Sequence, residues 1–120
     1  MKILIADDSK VMRQIVLRTM RQAGFGNHDF VEAADGAEAL DKVAAESPDL
    51  VLSDWNMPNK TGIELLRALR ENGDKTPFGF VTSEGSEEMR EAAKAAGAMF
   101  LIAKPFTSDH FEDALSGILG

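Results

Sequence analysis

The chain has 120 residues, of which 13 are basic and 20 acidic, giving a formal net charge of −7, and it contains no cysteine. This length fits one domain over residues 1–120 with its own core, and the missing cysteine excludes disulfides, thiol chemistry and cysteine-ligated zinc. The negative charge opposes nucleic-acid binding, and no apolar run approaches the roughly 20 residues of a membrane-spanning helix or resembles a signal peptide. We therefore expect a cytoplasmic protein without membrane insertion.

Short apolar segments alternate with amphipathic segments along the whole chain. The 4 prolines fall beside these segments rather than within them, which is where proline is compatible with regular structure. The predicted strands are Lys2–Ala6, Asp29–Ala33, Leu50–Ser53, Phe78–Thr82 and Met99–Ala103. The predicted helices are Val11–Ala23, Ala37–Ala45, Ile63–Glu71, Glu87–Ala96 and Asp109–Leu119.

The first predicted helix has an apolar stripe at helical spacing. We expect this stripe to pack on a sheet and the arginines on the opposite side to face solvent. The stripe consists of Val11, Met12, Ile15, Val16, Thr19 and Met20, and the arginines are Arg13, Arg18 and Arg21.

Two of the predicted strands run directly into acidic residues. Asp7 and Asp8 follow the first strand, and Asp54 follows the third. Alternation of strands and helices indicates a parallel sheet covered on both faces, in which ligands bind outside the carboxyl ends of the strands. If these two strands are neighbours, three carboxylates share one crevice, where their repulsion favours binding of a divalent cation.

Further polar motifs stand at the ends of other predicted strands. The full set is Asp7-Asp8, then Asp54-Trp55-Asn56-Met57-Pro58 with Gly62, then Val81-Thr82-Ser83, and then Ala103-Lys104-Pro105-Phe106. Together these motifs resemble those of the response-regulator receiver domain, above all its single-domain, chemotaxis-type members, and the resemblance covers essentially the whole chain. It implies a flavodoxin-like α/β fold, a (βα)5 three-layer sandwich with a parallel sheet of order 2-1-3-4-5 and helices on both faces.

The resemblance assigns the acidic residues to phosphoryl transfer. Alone, Asp54 would be interpreted as capping the next turn, and Asp7 and Asp8 as starting a helix. In the family pattern Asp54 is the nucleophile that becomes an aspartyl phosphate. Asp8, Asp54 and the main-chain carbonyl of Asn56 then bind Mg²⁺, with Mn²⁺ as a substitute, and Asp7 acts mainly through water of the ion.

The resemblance also assigns roles around the acceptor. The Thr82 hydroxyl moves toward the phosphoryl group and draws its loop along, and Lys104, before a cis bond to proline, pairs with Asp54 or its phosphate. A small Ser83 leaves the entrance open, and Glu84, with Asn56, adjusts how fast the acyl phosphate hydrolyses. Gly62 is expected to supply a backbone conformation closed to other residues.

Two residues depart from the expected pattern. Leu101 stands where chemotaxis-type members have an aromatic residue that swings inward during switching, and the chain has no tyrosine, although Phe100 is one residue earlier. The coupling mechanism therefore stays open. Gly79 lies inside the fourth predicted strand, where missing side-chain packing predicts a loose strand.

The resemblance implies a stand-alone receiver of a two-component phosphorelay. Such a protein takes a phosphoryl group from a sensor histidine kinase or phosphotransfer protein, assists its own phosphorylation and dephosphorylation, and is otherwise not an enzyme. Phosphorylation switches binding to a target protein through the fourth helix, fifth strand and fifth helix. We expect a monomer before phosphorylation, with dimerisation afterwards and a chemotaxis output left open.

Two other functions stay open at this point. A phosphatase of the haloacid-dehalogenase type also uses a strand-end aspartate with Mg²⁺, but it has a second aspartate where this chain has Asn56, and the chain has no room for a cap domain. A receiver-like docking module that is never phosphorylated would not need the complete acidic, threonine and lysine set, although Leu101 is compatible with it.

Overall fold

The computed structural model describes residues 1–119, in which five strands and five helices alternate. Every predicted element is present, and each observed end lies within one residue of its predicted position. The strands are β1 (Lys2–Ala6), β2 (Asp29–Ala33), β3 (Leu50–Ser53), β4 (Phe78–Thr82) and β5 (Phe100–Ala103). The helices are α1 (Lys10–Gln22), α2 (Gly36–Glu46), α3 (Gly62–Glu71), α4 (Glu87–Ala96) and α5 (Ser108–Leu119).

Side-chain caps fix where the helices begin. The Ser9 hydroxyl accepts a hydrogen bond from the Met12 amide at 3.2 Å, so α1 begins at Lys10, before its first apolar residue. Thr61 and Glu64 form a reciprocal capping box at the start of α3. These caps account for helices that begin one residue earlier than hydrophobic periodicity alone predicts.

All neighbouring strands are parallel, and their order is β2-β1-β3-β4-β5. This confirms the flavodoxin-like fold class that the resemblance implied. β1 and β3 are neighbours, and Ala6 lies opposite Ser53 in their register. The residues that follow these two strands therefore leave the sheet at the same edge.

Helices cover both faces of the sheet, so the domain has three layers with a core on each side. Residues of α1 and α5 pack on one face, and residues of α2, α3 and α4 pack on the other. Among the described residues, no helix is both long and apolar enough to cross a membrane.

The predicted stripe of α1 is only partly in the core. Val16 and Met20 are buried as predicted, but Val11 is 68% exposed and Ile15 is 37% exposed. Residues of α1 therefore join the core only from Val16 onward. The prediction that Arg13 is solvated is also wrong, because its side chain is only 14% exposed and pairs with Glu32 at 2.9 Å.

The looseness predicted for β4 at Gly79 is contradicted by its packing. Gly79 is buried and lies opposite Phe100 in the register with β5. A Cβ atom built on Gly79 would lie 2.1 Å from Cζ of Phe100. The phenyl ring therefore occupies the space that a side chain at residue 79 would need, and the missing side chain leaves no void.

Candidate functional site

Three carboxylates lie together at the carboxyl ends of β1 and β3. The Asp7 amide donates to the carbonyl of Ala33 at 3.1 Å, and the Asp54 amide donates to that of Ala6 at 2.9 Å, so hydrogen bonding between strands continues up to both acids. One carboxylate oxygen from each of Asp7, Asp8 and Asp54 lies within 4.8 Å of the others. The crevice predicted from the strand ends is therefore present.

Asp7 is the most deeply placed of the three acids. It is 3% exposed, and its Oδ1 accepts a hydrogen bond from the Ser9 amide at 2.9 Å. Burial raises the pKa of Asp7 and the nearby Asp54 carboxylate raises it further, while the Ser9 amide and the Lys104 ammonium act in the opposite direction. The buried negative charge of Asp7 is thus only partly compensated by its neighbours.

Both oxygens of Asp54 have donors. Its Oδ1 accepts from the Trp55 amide at 2.7 Å, and its Oδ2 lies 3.5 Å from Nζ of Lys104. Its side chain is 13% exposed, and the neighbouring Trp55 ring packs on Phe80 with centroids 4.7 Å apart. The carboxylate is held in one orientation and is still accessible from solvent.

Lys104 joins the two acidic strand ends from β5. Its Nζ lies 3.2 Å from Oδ2 of Asp7 as well as 3.5 Å from Oδ2 of Asp54. The bond between Lys104 and Pro105 is cis, as the resemblance implied, and the Lys104 amide donates to the carbonyl of Thr82 at 2.8 Å. Nζ of Lys104 therefore lies between the carboxylates of Asp7 and Asp54.

The remaining predicted residues surround this group on the β4 side. Thr82 is fully buried, and its Oγ1 accepts from the Glu84 amide at 3.4 Å. Ser83 and Glu84 are exposed, and Glu84 Oε1 accepts from Nδ2 of Asn56 at 3.4 Å. The structure therefore brings Asn56 and Glu84 together at the rim. Leu101 is partly buried and packs against the core on the α4 side of the sheet.

Gly62 is needed for a reason other than the predicted one. Its φ lies outside the left-handed region, since among the described glycines only Gly24, Gly73 and Gly97 have positive φ. Instead, a Cβ built on Gly62 would lie 2.1 Å from the main-chain oxygen of Asp54. The start of α3 packs directly on the backbone of the acceptor residue, and this contact leaves no room for a side chain.

Arg13 is a member of the site that the sequence analysis placed in solvent. Its Nη1 donates to the main-chain carbonyl of Asp7 at 2.7 Å, while its Nε pairs with Glu32. The sequence signal that could have indicated this contact is the position of Arg13, six residues after Asp7 and one turn into α1. Arg13 fixes the backbone at the end of β1 and directs its charge toward Glu32 rather than toward the carboxylates.

The donor set fits a hard divalent cation. It consists of carboxylate oxygens from Asp7, Asp8 and Asp54, of which Asp8 is exposed and can reach an ion that keeps several waters. Mg²⁺ prefers oxygen ligands of this kind, held by a few carboxylates with water completing its shell. The residues therefore fit Mg²⁺.

The chain belongs to the response regulator receiver domain family, whose family model matches residues 3–116. Within that family it is a receiver of the CheY type. It is similar to the chemotaxis protein CheY of Pseudomonas aeruginosa, with 39% identity over 120 residues that cover 98% of this chain and 95% of that protein. It is also similar to the chemotaxis protein CheY1 of Helicobacter pylori, with 36% identity over 123 residues that cover 100% of this chain and 98% of that protein.

Solved structures agree with this assignment. The structure of the chemotaxis protein CheY4 of Vibrio cholerae has a TM-score of 0.84 at 37% identity and covers 98% of both chains. The receiver domain of the Francisella response regulator 1452 has a TM-score of 0.83 at 30% identity and covers 96% of this chain and 93% of that one. Receivers are signalling proteins that bind Mg²⁺ at an acidic pocket and interact with histidine kinases and downstream targets.

Proposed function

We propose that this receiver accepts a phosphoryl group on Asp54 in a reaction that depends on Mg²⁺. The donor is the phosphohistidine of a sensor histidine kinase or of a phosphotransfer protein. The observation that carries the proposal is the clustering of Asp7, Asp8 and Asp54 within 4.8 Å, with Nζ of Lys104 in contact with two of them. The proposed role is that of a stand-alone phosphorelay receiver in the cytoplasm.

The chemistry is a displacement at phosphorus. A carboxylate oxygen of Asp54 forms the new O–P bond while the P–N bond of phosphohistidine breaks, and the imidazole nitrogen keeps the electron pair of that bond. Asp54 needs no base because it is already a carboxylate, and its two donors orient it for attack. The protein therefore contributes positioning and charge stabilisation, which are the main requirements of phosphoryl transfer.

Charge neutralisation is shared between a lysine and a metal ion. Lys104 offsets the charge of Asp54 and would pair with the oxygens of the phosphoryl group. Asp8, Asp54 and the main-chain carbonyl of Asn56 would hold Mg²⁺, with Asp7 as an outer partner and Mn²⁺ as a substitute. When bound, the ion stabilises the negative charge of the phosphoryl oxygens.

The conformational response begins at Thr82. Its hydroxyl is buried one strand away from Asp54 and in the present conformation accepts from its own loop, at the Glu84 amide. We infer that it turns to donate to a phosphoryl oxygen and draws the exposed loop along. Ser83 would leave the entrance open, and the contact between Asn56 and Glu84 would affect the lifetime of the acyl phosphate.

The proposed output surface is the face formed by α4, β5 and α5. A groove of about 510 Å³ runs along this face, and it is lined by residues of all three elements, including Arg90, Leu101 and Asp113. A downstream target protein would bind here, in chemotaxis or in another pathway. We propose a monomer before phosphorylation, with this face available for dimerisation afterwards.

Intact-mass measurement tests the proposed chemistry. The protein is incubated with acetyl phosphate, with and without Mg²⁺, alongside Asp54→Asn, which keeps the shape of the side chain but removes the nucleophile. We expect one added phosphoryl group only in the wild-type sample with Mg²⁺. The receiver would then assist its own phosphorylation, because no kinase is present.

Other outcomes would indicate other functions. If no adduct forms even at short times with rapid quenching, the proposal fails and the docking-module hypothesis replaces it. Steady hydrolysis of many phosphate esters without a lasting conformational change would instead indicate a phosphatase. The presence of Asn56 two residues after Asp54 argues against that chemistry, because an amide cannot act as general acid and base.

A further inference from the structure

Arg90, in the first turn of α4, forms hydrogen bonds with two segments near Thr82, which are the loop that follows it and strand β5. Its Nε donates to the carbonyl oxygen of Gly85 at 3.3 Å, and its Nη1 donates to that of Leu101 at 3.1 Å. Gly85 belongs to the exposed loop that follows Thr82, whereas Leu101 belongs to β5, which is one of the two edge strands of the sheet. One guanidinium therefore connects the β4–α4 loop to the neighbouring strand.

The β4–α4 loop packs closely on β5 at Gly85, so the hydrogen bonds of Arg90 can fix the loop in this position. A Cβ built on Gly85 would lie 3.2 Å from Cβ of Ala103 and 3.3 Å from Nη2 of Arg90. The loop thus lies directly on β5, with the guanidinium beside it. Arg90 also lines two grooves along β5, of about 510 and 360 Å³.

We propose that Arg90 is a strap for the resting conformation: it holds the β4–α4 loop onto the edge of β5, and the loop movement started by Thr82 breaks this bridge. The inference rests on the proposed function, because it assumes that phosphorylation of Asp54 moves the loop. The inference assigns a role in switching to Arg90, which the sequence pattern did not identify. This role matters because Leu101 provides no aromatic side chain for coupling.

The strap makes a quantitative prediction through linkage. Contacts present only in the resting conformation reduce the population of the active one, and a ligand that needs the active conformation binds more weakly by the same factor. Two hydrogen bonds from an exposed guanidinium correspond to about a two- to fivefold population change. Removal of Arg90 is therefore expected to tighten binding of a phosphoryl analogue by about two- to fivefold.

The test compares three variants of the full chain. Arg90→Ala removes the bridge, and Arg90→Lys keeps the charge but can donate to only one of the two carbonyls at a time. Lys94→Ala, one turn later on α4, removes the same charge from an exposed residue and controls for electrostatics. Each protein is titrated with beryllium fluoride in saturating Mg²⁺, and binding is followed by Trp55 fluorescence and by amide NMR.

We expect Arg90→Ala to bind the analogue more tightly, Arg90→Lys to lie between it and the wild type, and Lys94→Ala to match the wild type. Without the analogue, amide signals of Gly85 and Leu101 in Arg90→Ala should already be displaced toward their analogue-bound positions. Equal affinities of Arg90→Ala and Lys94→Ala would overturn the strap while leaving the proposed function intact. A wild-type protein that does not bind the analogue at all would overturn both.

Discussion

Replacing Gly79 by alanine tests whether the Phe100 ring occupies the missing side-chain volume of β4. The new Cβ would lie 2.1, 2.2 and 2.6 Å from three carbon atoms of that ring, whereas nonbonded carbons are at optimal separation at about 3.5–4.0 Å. The ring must therefore move by more than about 1 Å or leave its place. We expect the overpacked variant to be less stable than the wild type.

The expected magnitude combines two opposing effects. Overpacking of a filled core costs about 1–3 kcal/mol. Replacement of glycine also reduces the entropy of the unfolded chain, which stabilises the protein by about 0.4–1 kcal/mol where the backbone is unstrained, as it is at Gly79. With the middle of each range, the free energy of unfolding of Gly79→Ala should decrease by about 1–2 kcal/mol.

Urea denaturation followed by Trp55 fluorescence measures this change, with circular dichroism as a second probe of two-state unfolding. Phe100→Ala and the double variant complete a double-mutant cycle. Because the small side chain at residue 100 removes the clash, Gly79→Ala should be neutral or stabilising in the Phe100→Ala background. Unchanged stability of the single variant, or additivity of the two substitutions, would refute the packing argument.

Four further substitutions test other parts of the structure. Gly62→Ala should lower the free energy of unfolding by about 2 kcal/mol or more, because its Cβ would meet the main-chain oxygen of the acceptor aspartate at 2.1 Å; Gly117→Ala, in an open helical position, should raise it by up to about 1 kcal/mol in the same urea assay. The pKa of Asp74 is lowered mainly by hydrogen bonds from the hydroxyl and the amide of Thr76, so the ionised side chain stabilises the fold above its unfolded pKa of 3.8. The difference in melting temperature between wild type and Asp74→Asn should therefore be largest near neutral pH and disappear as the pH falls below 3.8. Asp8→Asn should weaken Mg²⁺ binding, measured by Trp55 fluorescence, by about tenfold or more, since binding strength depends on the number of charged ligands. Because Asp8 is exposed, the free energy of unfolding should change little. A loss of Mg²⁺ affinity that is explained by an equally large loss of folding free energy would contradict the assignment of Asp8 as a ligand.

Most of the fold follows from signals that are local in the sequence. Alternating strands and helices, with glycines at helix ends, predict every element to within one residue, and the motifs at the strand ends predict which carboxylates meet. These signals leave the strand order open, since periodicity does not specify which strands are neighbours. The resemblance supplies that order, which places β1 beside β3.

Contacts between distant segments account for what the sequence did not predict. The amphipathic pattern of α1 identifies Val16 and Met20 as core residues, but it cannot indicate that Val11, in the same stripe, is exposed. Gly62 was recognised as special, although the reason is a backbone that approaches it from β3 rather than its own torsion angles. The residue pattern of one segment does not indicate where a distant segment packs against it.

The alternation of side chains along β5 explains why Phe100 cannot replace the aromatic residue that is missing at position 101, where this chain has Leu101. Successive side chains of a strand point to opposite faces of a sheet, so a shift of one residue changes the face. Phe100 packs with the core under α1 and α5 and lies on Gly79, whereas Leu101 packs on the opposite face, beside α4. An aromatic ring at residue 100 therefore cannot swing toward Thr82. The coupling that we propose on the α4 face would act instead through Leu101, the loop at Gly85 and the guanidinium that connects them.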